Sequence, residues 1–195
     1  VLFHQRLDFS FESDELGSAY RVFRLSSLEL EAESLTGEFR KKLCETLPAS
    51  LPACGVPDFM PQSVTVSANL HHHHGFMGWT QEAFDDAGAL VENRVLAYQY
   101  ILHTNPRMFT GGEIELSDGT SIEPINNRLV LYHPAQIAKI RLVECYSAHP
   151  LHGRWSLSGH AYGRIDGWLE SIRSLLLPMD SQTADKPLDE DEGPD

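Results

Sequence analysis

Between Tyr98 and Gly159 the chain is a succession of short apolar runs punctuated by glycine and asparagine turns, and this constrains the fold more than any other feature of the sequence. Val95 to Leu102 is an apolar run of strand length. It leads into Phe109-Thr-Gly-Gly, where Gly111 and Gly112 free the backbone for a sharp turn before a second strand, Glu113 to Leu116, so the two strands read as a hairpin. Asn126 and Asn127 supply turn residues that tolerate positive φ, and Arg128 to Tyr132 is an apolar run short enough to be a core strand. Arg154 opens a last strand in which Trp155, Leu157 and Gly159 alternate with Ser156, Ser158 and His160. Arg154, Ser156 and Ser158 therefore share one face, and Arg154 is predicted to point into the interior.

Taken in order, Tyr98–His103 with Phe109–Leu116, Ile125–Tyr132 and Arg154–Gly159 resemble the second half of the iron- and 2-oxoglutarate-dependent oxygenases, in particular the prolyl-hydroxylase-like branch. The resemblance implies a mainly β fold with flanking helices around a double-stranded β-helix, a jelly-roll or cupin-like core. In those enzymes an arginine at this place binds the far carboxylate of 2-oxoglutarate, with a hydroxyl two residues on. Arg154 and Ser156 fit that pattern, and Tyr98 joins them as the implied co-substrate set. A structural ion pair is the competing role for Arg154.

The same resemblance implies Fe(II) held by two histidines and a carboxylate. A His-x-Asp motif is due shortly before the strand that begins at Arg94, and a second histidine at the start of the strand after Tyr132. Counted outward from Arg154, the second position falls on Ala138, in the triplet Ala138-Lys139-Ile140, and alanine binds no metal. Three registers compete for the first: Ala83-Phe84-Asp85, Thr80-Gln81-Glu82 and the run His71 to His74, none of which reads His-x-Asp. A rebuilt metal site would draw on His72 and His74, or His71 and His73, with Asp85 or Asp86, and on His133 at the end of a core strand. A polar surface loop is the plainer reading of the histidine run. His149, His152 and His160 read as solvent-facing or satisfied by hydrogen bonds. The cofactor expectation is thus 2-oxoglutarate, with Fe(II) in doubt. Two functions follow: a ligand-binding or non-redox member of the fold that has lost its iron, or an active hydroxylase of a peptide or small molecule with a rebuilt site.

The formal net charge of −13 argues against nucleic acid as a partner, because phosphate is held by clustered Lys and Arg. Three cysteines, Cys44, Cys54 and Cys145, form no Cys-x-x-Cys and cannot all pair, so neither a disulfide framework nor a zinc ribbon is expected. Apolar runs fall short of the roughly 20 residues that span a bilayer. With no secretory leader legible at Val1, the expectation is a cytoplasmic protein. Residues 1–179 are expected to form one domain, and residues 180–195 an acidic, disordered tail.

Ahead of the barrel, Val1 to Phe11 and Ala19 to Leu25 read as strands around a Glu12 to Ser18 turn. Leu28, Ala32, Leu35, Phe39, Leu43 and Leu47 recur at helical intervals, which predicts a helix from Leu28 to Leu47 before a proline-rich loop from Pro48 to Pro61. Gln62 to Leu70 alternates as a half-buried strand. Thr80-Gln-Glu-Ala looks like a helix start and predicts a helix over Thr80 to Val91. A closing helix is predicted over Arg164 to Leu177, stopped by Pro178.

Overall fold

The computed structural model describes residues 8–13, 19–25, 35–52, 56, 61–85 and 87–176. The acidic tail, Asp86, Pro178 and the first seven residues of the helix predicted from Leu28 lie outside them.

The elements in chain order are β1 (Asp8–Ser13), β2 (Ala19–Leu25), α1 (Leu35–Ser50), β3 (Ser63–Val64), β4 (Ser67–His71), β5 (Gly75–Gln81), β6 (Arg94–Leu102), β7 (Phe109–Gly111), β8 (Ile114–Leu116), β9 (Ser121–Ile122), β10 (Arg128–Tyr132), β11 (Ile137–Cys145), β12 (Arg154–Tyr162) and α2 (Trp168–Leu175). Every strand pair is antiparallel. One path of strands runs β10-β6-β12-β4 and another β5-β11-β8-β9, and β2 joins the two by pairing with both β4 and β5.

Two apolar layers follow from the two-residue alternation along these strands. Between the two sheets, Ala97 and Ile101 of β6 and Val130 and Tyr132 of β10 meet Ile114 of β8 and Ala138 and Ile140 of β11. On the outer face, Leu96 and Tyr98 of β6 and Ala161 of β12 pack under Leu43 and Leu47 of α1 and under Trp168 and Ile172 of α2. Both helices therefore cover the same sheet, whose path ends at β10, while the opposite path ends at β9.

The strands of the barrel half match their sequence signals, with β10 and β12 beginning at Arg128 and Arg154 as predicted. Asn127, Gly111 and Gly112 all adopt positive φ. Other expectations are corrected. The hairpin between Val95–Leu102 and Glu113–Leu116 does not form: β6 pairs with β10 and β12, whereas β8 pairs with β11 and β9. The intervening loop crosses from one sheet to the other. The helix predicted over Thr80 to Val91 is also absent, since Thr80 and Gln81 end β5, and Thr80 and Gln81 pair with Ala138 and Ile137 of β11. A local capping pattern lost to a long-range ladder. Asp85 then closes a turn, its Oδ1 accepting from the backbone N–H of Ala87 and Ala89 at 3.0 and 2.8 Å. α1 runs three residues past Leu47 through Pro48, because its last turn buries Leu47 and is followed by the equally buried Leu51. The strand predicted over Gln62 to Leu70 is broken at Thr65–Val66, and α2 starts only at Trp168, after Gly167 at φ 73°.

His133 follows β10 and stacks at a tilt on Trp168, ring centroids 4.7 Å apart. Its Nδ1 accepts from Ala135 N–H at 3.1 Å, and burial holds its pKa below the ordinary value. The unfolded chain therefore takes up this proton first as pH falls. His133 contributes stability that is full above about pH 6.5 and is lost as pH drops through the lowered folded-state value. Thermal melts between pH 7.5 and 5 are expected to show a fall in Tm that is smaller in His133→Gln.

Candidate active site

The interior between the two sheets holds a fully buried arginine. Arg154 is 0% exposed, and its guanidinium reaches from β12 to both sheets. Nε donates to Gly112 O of the β7–β8 loop at 2.8 Å, and Nη2 donates to Gln99 Oε1 of β6 at 3.0 Å. Nη1 is buried with no hydrogen-bond partner. Burial lowers the pKa of Arg154 to about 10, opposed by the nearby Tyr132 and Glu113, so the group is charged at neutral pH. No carboxylate lies within ion-pair distance of it among the described residues. A buried cation with an unmatched fork is costly unless an anion completes it, so the site suits a ligand carboxylate.

Gly112 makes the loop's approach possible. A Cβ there would stand 2.7 Å from Arg154 Cδ, so the position admits the arginine only as glycine. Ser156 follows on the same face, buried and in register with Asn69 of β4, whose Nδ2 donates to Ser158 Oγ at 2.7 Å.

Tyr98 is not brought to this set. It shares β6 with Gln99 but points the other way, packing on Phe39 of α1 and donating its hydroxyl to Thr65 O at 2.6 Å. Burial raises its pKa far above that of free tyrosine. The interior tyrosine is Tyr132, which lies beside Gln99, Glu82 and Arg154. Burial chiefly, and then the charge of Glu82, raise its pKa beyond the usual range, so it stays a neutral phenol.

The register of β5 on β11 bears directly on the metal question. Ala138 pairs with Thr80, and Thr80 Oγ1 donates to Ala138 O at 3.3 Å. Of the three registers open from sequence, only Thr80-Gln81-Glu82 is set across from Ala138. A threonine and a buried alanine thus stand across from each other at two of the places where the resemblance calls for ligands, and neither side chain is the imidazole expected there. Glu82 is the retained acid, and its Oε2 lies 2.7 Å from His160 Nε2.

The histidine run lies at the far end of β5. Gly75 pairs with Val143, about 20 Å of strand away from Gln81. His72 Nε2 meets His149 O at 3.2 Å, and His73 and His74 stack on each other with centroids 4.0 Å apart. Neither His72 nor His74 is brought near Asp85 or His133. Among the described residues no group of three or more His, Cys, Asp or Glu is placed to hold a metal ion. The Glu82–His160 pair and Gln99 escaped sequence reasoning as a site. The legible signal was the parity that sets His160 on the Arg154 face of β12.

No family model matches the chain. In sequence it is 23% identical over 140 residues to an uncharacterized PKHD-type hydroxylase of Synechocystis sp., an alignment covering 65% of this chain and 45% of that protein. The match thus spans less than half the length of that relative. In fold the chain is similar to a Pseudomonas putida prolyl-4-hydroxylase, with a TM-score of 0.54 and 14% identity over 83% of this chain and 79% of that one. It is also similar to an oxidoreductase of the 2OG-Fe(II) oxygenase family from Burkholderia pseudomallei, with a TM-score of 0.51 and 13% identity over 74% of this chain and 66% of that one. The fold is the double-stranded β-helix of the 2-oxoglutarate oxygenases. In sequence and in fold alike, the proteins this chain is similar to are 2OG-Fe(II) oxygenases and hydroxylases. No helix among the described residues is long and apolar enough to cross a membrane.

Proposed function

We propose that this protein binds 2-oxoglutarate or a closely related dicarboxylate between its sheets through Arg154 and Ser156, and that it does so without the metal centre usual for its superfamily. The observation that carries this is the fully buried guanidinium whose Nη1 has no partner. Arg154 would receive the ligand's far carboxylate and Ser156 would add a hydroxyl, while Gln99 and Gly112 hold the guanidinium at a fixed angle. Such pre-orientation reduces what must be ordered on binding.

A second reading is favoured by the hydroxylase names of the relatives: an active Fe(II)- and 2-oxoglutarate-dependent hydroxylase of a peptide or small molecule, with a rebuilt metal site. Against it stand Thr80 and Ala138 at two ligand places, since metal affinity depends on the number and geometry of ligands. Anaerobic Fe(II) titration with assay of 2-oxoglutarate decarboxylation separates the two. The expected result is no stoichiometric iron and no turnover. Tight one-to-one Fe(II) binding, lost when His72 and His74 or Glu82 and His160 are replaced, would establish the second reading instead.

A further inference from the structure

His103 follows β6 and begins the loop that crosses to the opposite sheet, and both of its ring nitrogens face carbonyl oxygens. Nδ1 lies 2.7 Å from Thr104 O, and Nε2 lies 3.0 Å from Pro124 O of the β9–β10 connection. A carbonyl oxygen only accepts, so each contact needs a hydrogen on the imidazole side. A neutral imidazole carries one N–H and turns a lone pair toward the second oxygen, whereas the imidazolium donates to both. The residue is held from two further sides: its ring stands edge-on to Phe109 with centroids 5.5 Å apart, and its backbone N–H donates to Asn126 Oδ1 at 3.0 Å. The charged and titratable groups on the segments packed here are Arg107 of the same loop, Glu123 and Arg128 of the facing connection, and Cys145 of β11, in register with Phe109. Arg107 pairs with Glu123 at 3.6 Å and lies over the Phe109 ring, and Arg128 Nη1 donates to Glu123 O. Burial raises the pKa of the Cys145 thiol, which keeps it neutral. The two carbonyls remain the partners of the His103 ring.

What the loop carries gives this contact its consequence. Beyond His103 the chain runs through the buried Phe109 into β7, which pairs with β11, and then to Gly112, whose carbonyl accepts from Arg154 Nε at 2.8 Å. We propose that His103 is a proton-operated clasp on this loop: the protonated ring ties the start of the loop to the β9–β10 connection, and loss of the proton releases one of its two carbonyl contacts. Two ring hydrogen bonds hold the loop at acidic pH and one at alkaline pH, so the loop loosens as pH rises. The sign is opposite to that at His133, whose Nδ1 accepts from a backbone N–H and loses that bond on protonation. Only a proton passes between solvent and the part-buried ring, and no covalent bond of the chain changes. His103 is thus a positioning residue that acts on the surroundings of Arg154 through the loop, whatever Arg154 binds.

The test is amide hydrogen exchange of the full chain at about pH 5.5 and about pH 8, either side of the range in which histidine ordinarily titrates, with rates corrected for the intrinsic effect of pH. Amides of the loop from Thr104 to Gly112 are expected to exchange about fivefold faster at the higher pH. In His103→Gln, whose side chain does not titrate, the difference is expected to fall below about twofold. Nitrogen NMR of the wild-type imidazole, with His103 assigned through its contact with Phe109, is expected to show both ring nitrogens protonated at the lower pH and one at the higher, a reading that needs no variant. Equal loop exchange at the two pH values, a pH dependence that persists in His103→Gln, or a His103 ring that keeps one protonation state across the interval would overturn the clasp.

Discussion

Arg154→Met is expected to abolish 2-oxoglutarate binding while leaving the fold nearly as stable as the wild type. The two effects have separate causes. The guanidinium is fully buried and lacks an ion-pair partner among the described residues, so the folded chain carries the desolvation of a charge, a penalty of several kcal/mol. Methionine removes that penalty and fills similar space. It also strips the donors from Gly112 O and Gln99 Oε1, which costs about 1–3 kcal/mol for each acceptor left bare. The opposing terms leave a net change within about 2 kcal/mol, and Tm within about 8 °C, for a chain of this size. Binding has no such compensation. Two charge-assisted hydrogen bonds to a carboxylate are lost in a dry site, so affinity should fall at least a hundredfold, about 3 kcal/mol. Arg154→Lys should not restore it, because a single ammonium cannot reproduce the fork that reaches Gly112, Gln99 and the ligand together. Thermal melts with and without 2-oxoglutarate report both quantities. A collapse of Tm in Arg154→Met, with no ligand-induced shift in the wild type, would mean that the arginine only braces the two sheets.

Gly111→Ala is expected to give the largest loss of stability of any glycine-to-alanine change among the described residues. Gly111 sits at φ 74°, and its added Cβ would lie 1.9 Å from Leu142 O of β11. The left-handed conformation alone costs alanine about 1–2 kcal/mol. The overlap is with backbone, so no rotamer change relieves it. β7 must part from β11 where Gly111 pairs with Val143, and the total should reach about 4 kcal/mol, on the order of 10 °C in Tm. Gly119→Ala is the control: φ is 87°, yet nothing lies within 4 Å of its Cβ, so only the conformational cost applies. Calorimetric melts of the two variants isolate the clash as their difference. Because Gly112 is the next residue and holds Arg154 Nε, Gly111→Ala should weaken ligand binding as well.

What could be read in the sequence was whatever is encoded locally. The two-residue parity of Arg154 to His160 gave the buried face of β12, and the Asn126-Asn127 and Gly111-Gly112 turns fell where their positive φ is used. Pairing partners were not legible. Val95–Leu102 and Glu113–Leu116 look like a hairpin because they are close in sequence, yet each finds its ladder in a different sheet. Thr80 carries a helix-cap signature that a long-range pairing with Ala138 overrides. Tyr98 and Gln99 are adjacent in the chain and both buried, and the register that sets Gln99 opposite Ser158 decides that the glutamine, not the tyrosine, faces Arg154. The site is likewise half legible. The arginine stood out by its pattern, whereas Glu82 and His160 are 78 residues apart and meet only once the sheets face each other.

The central claim is that Arg154 receives a ligand carboxylate without help from a metal. Calorimetric titration of chelator-treated wild-type protein with 2-oxoglutarate tests it most directly. Saturable one-to-one binding that vanishes in Arg154→Met is the predicted result. Absence of saturable binding until Fe(II) is added, or equal binding by Arg154→Met, would contradict it.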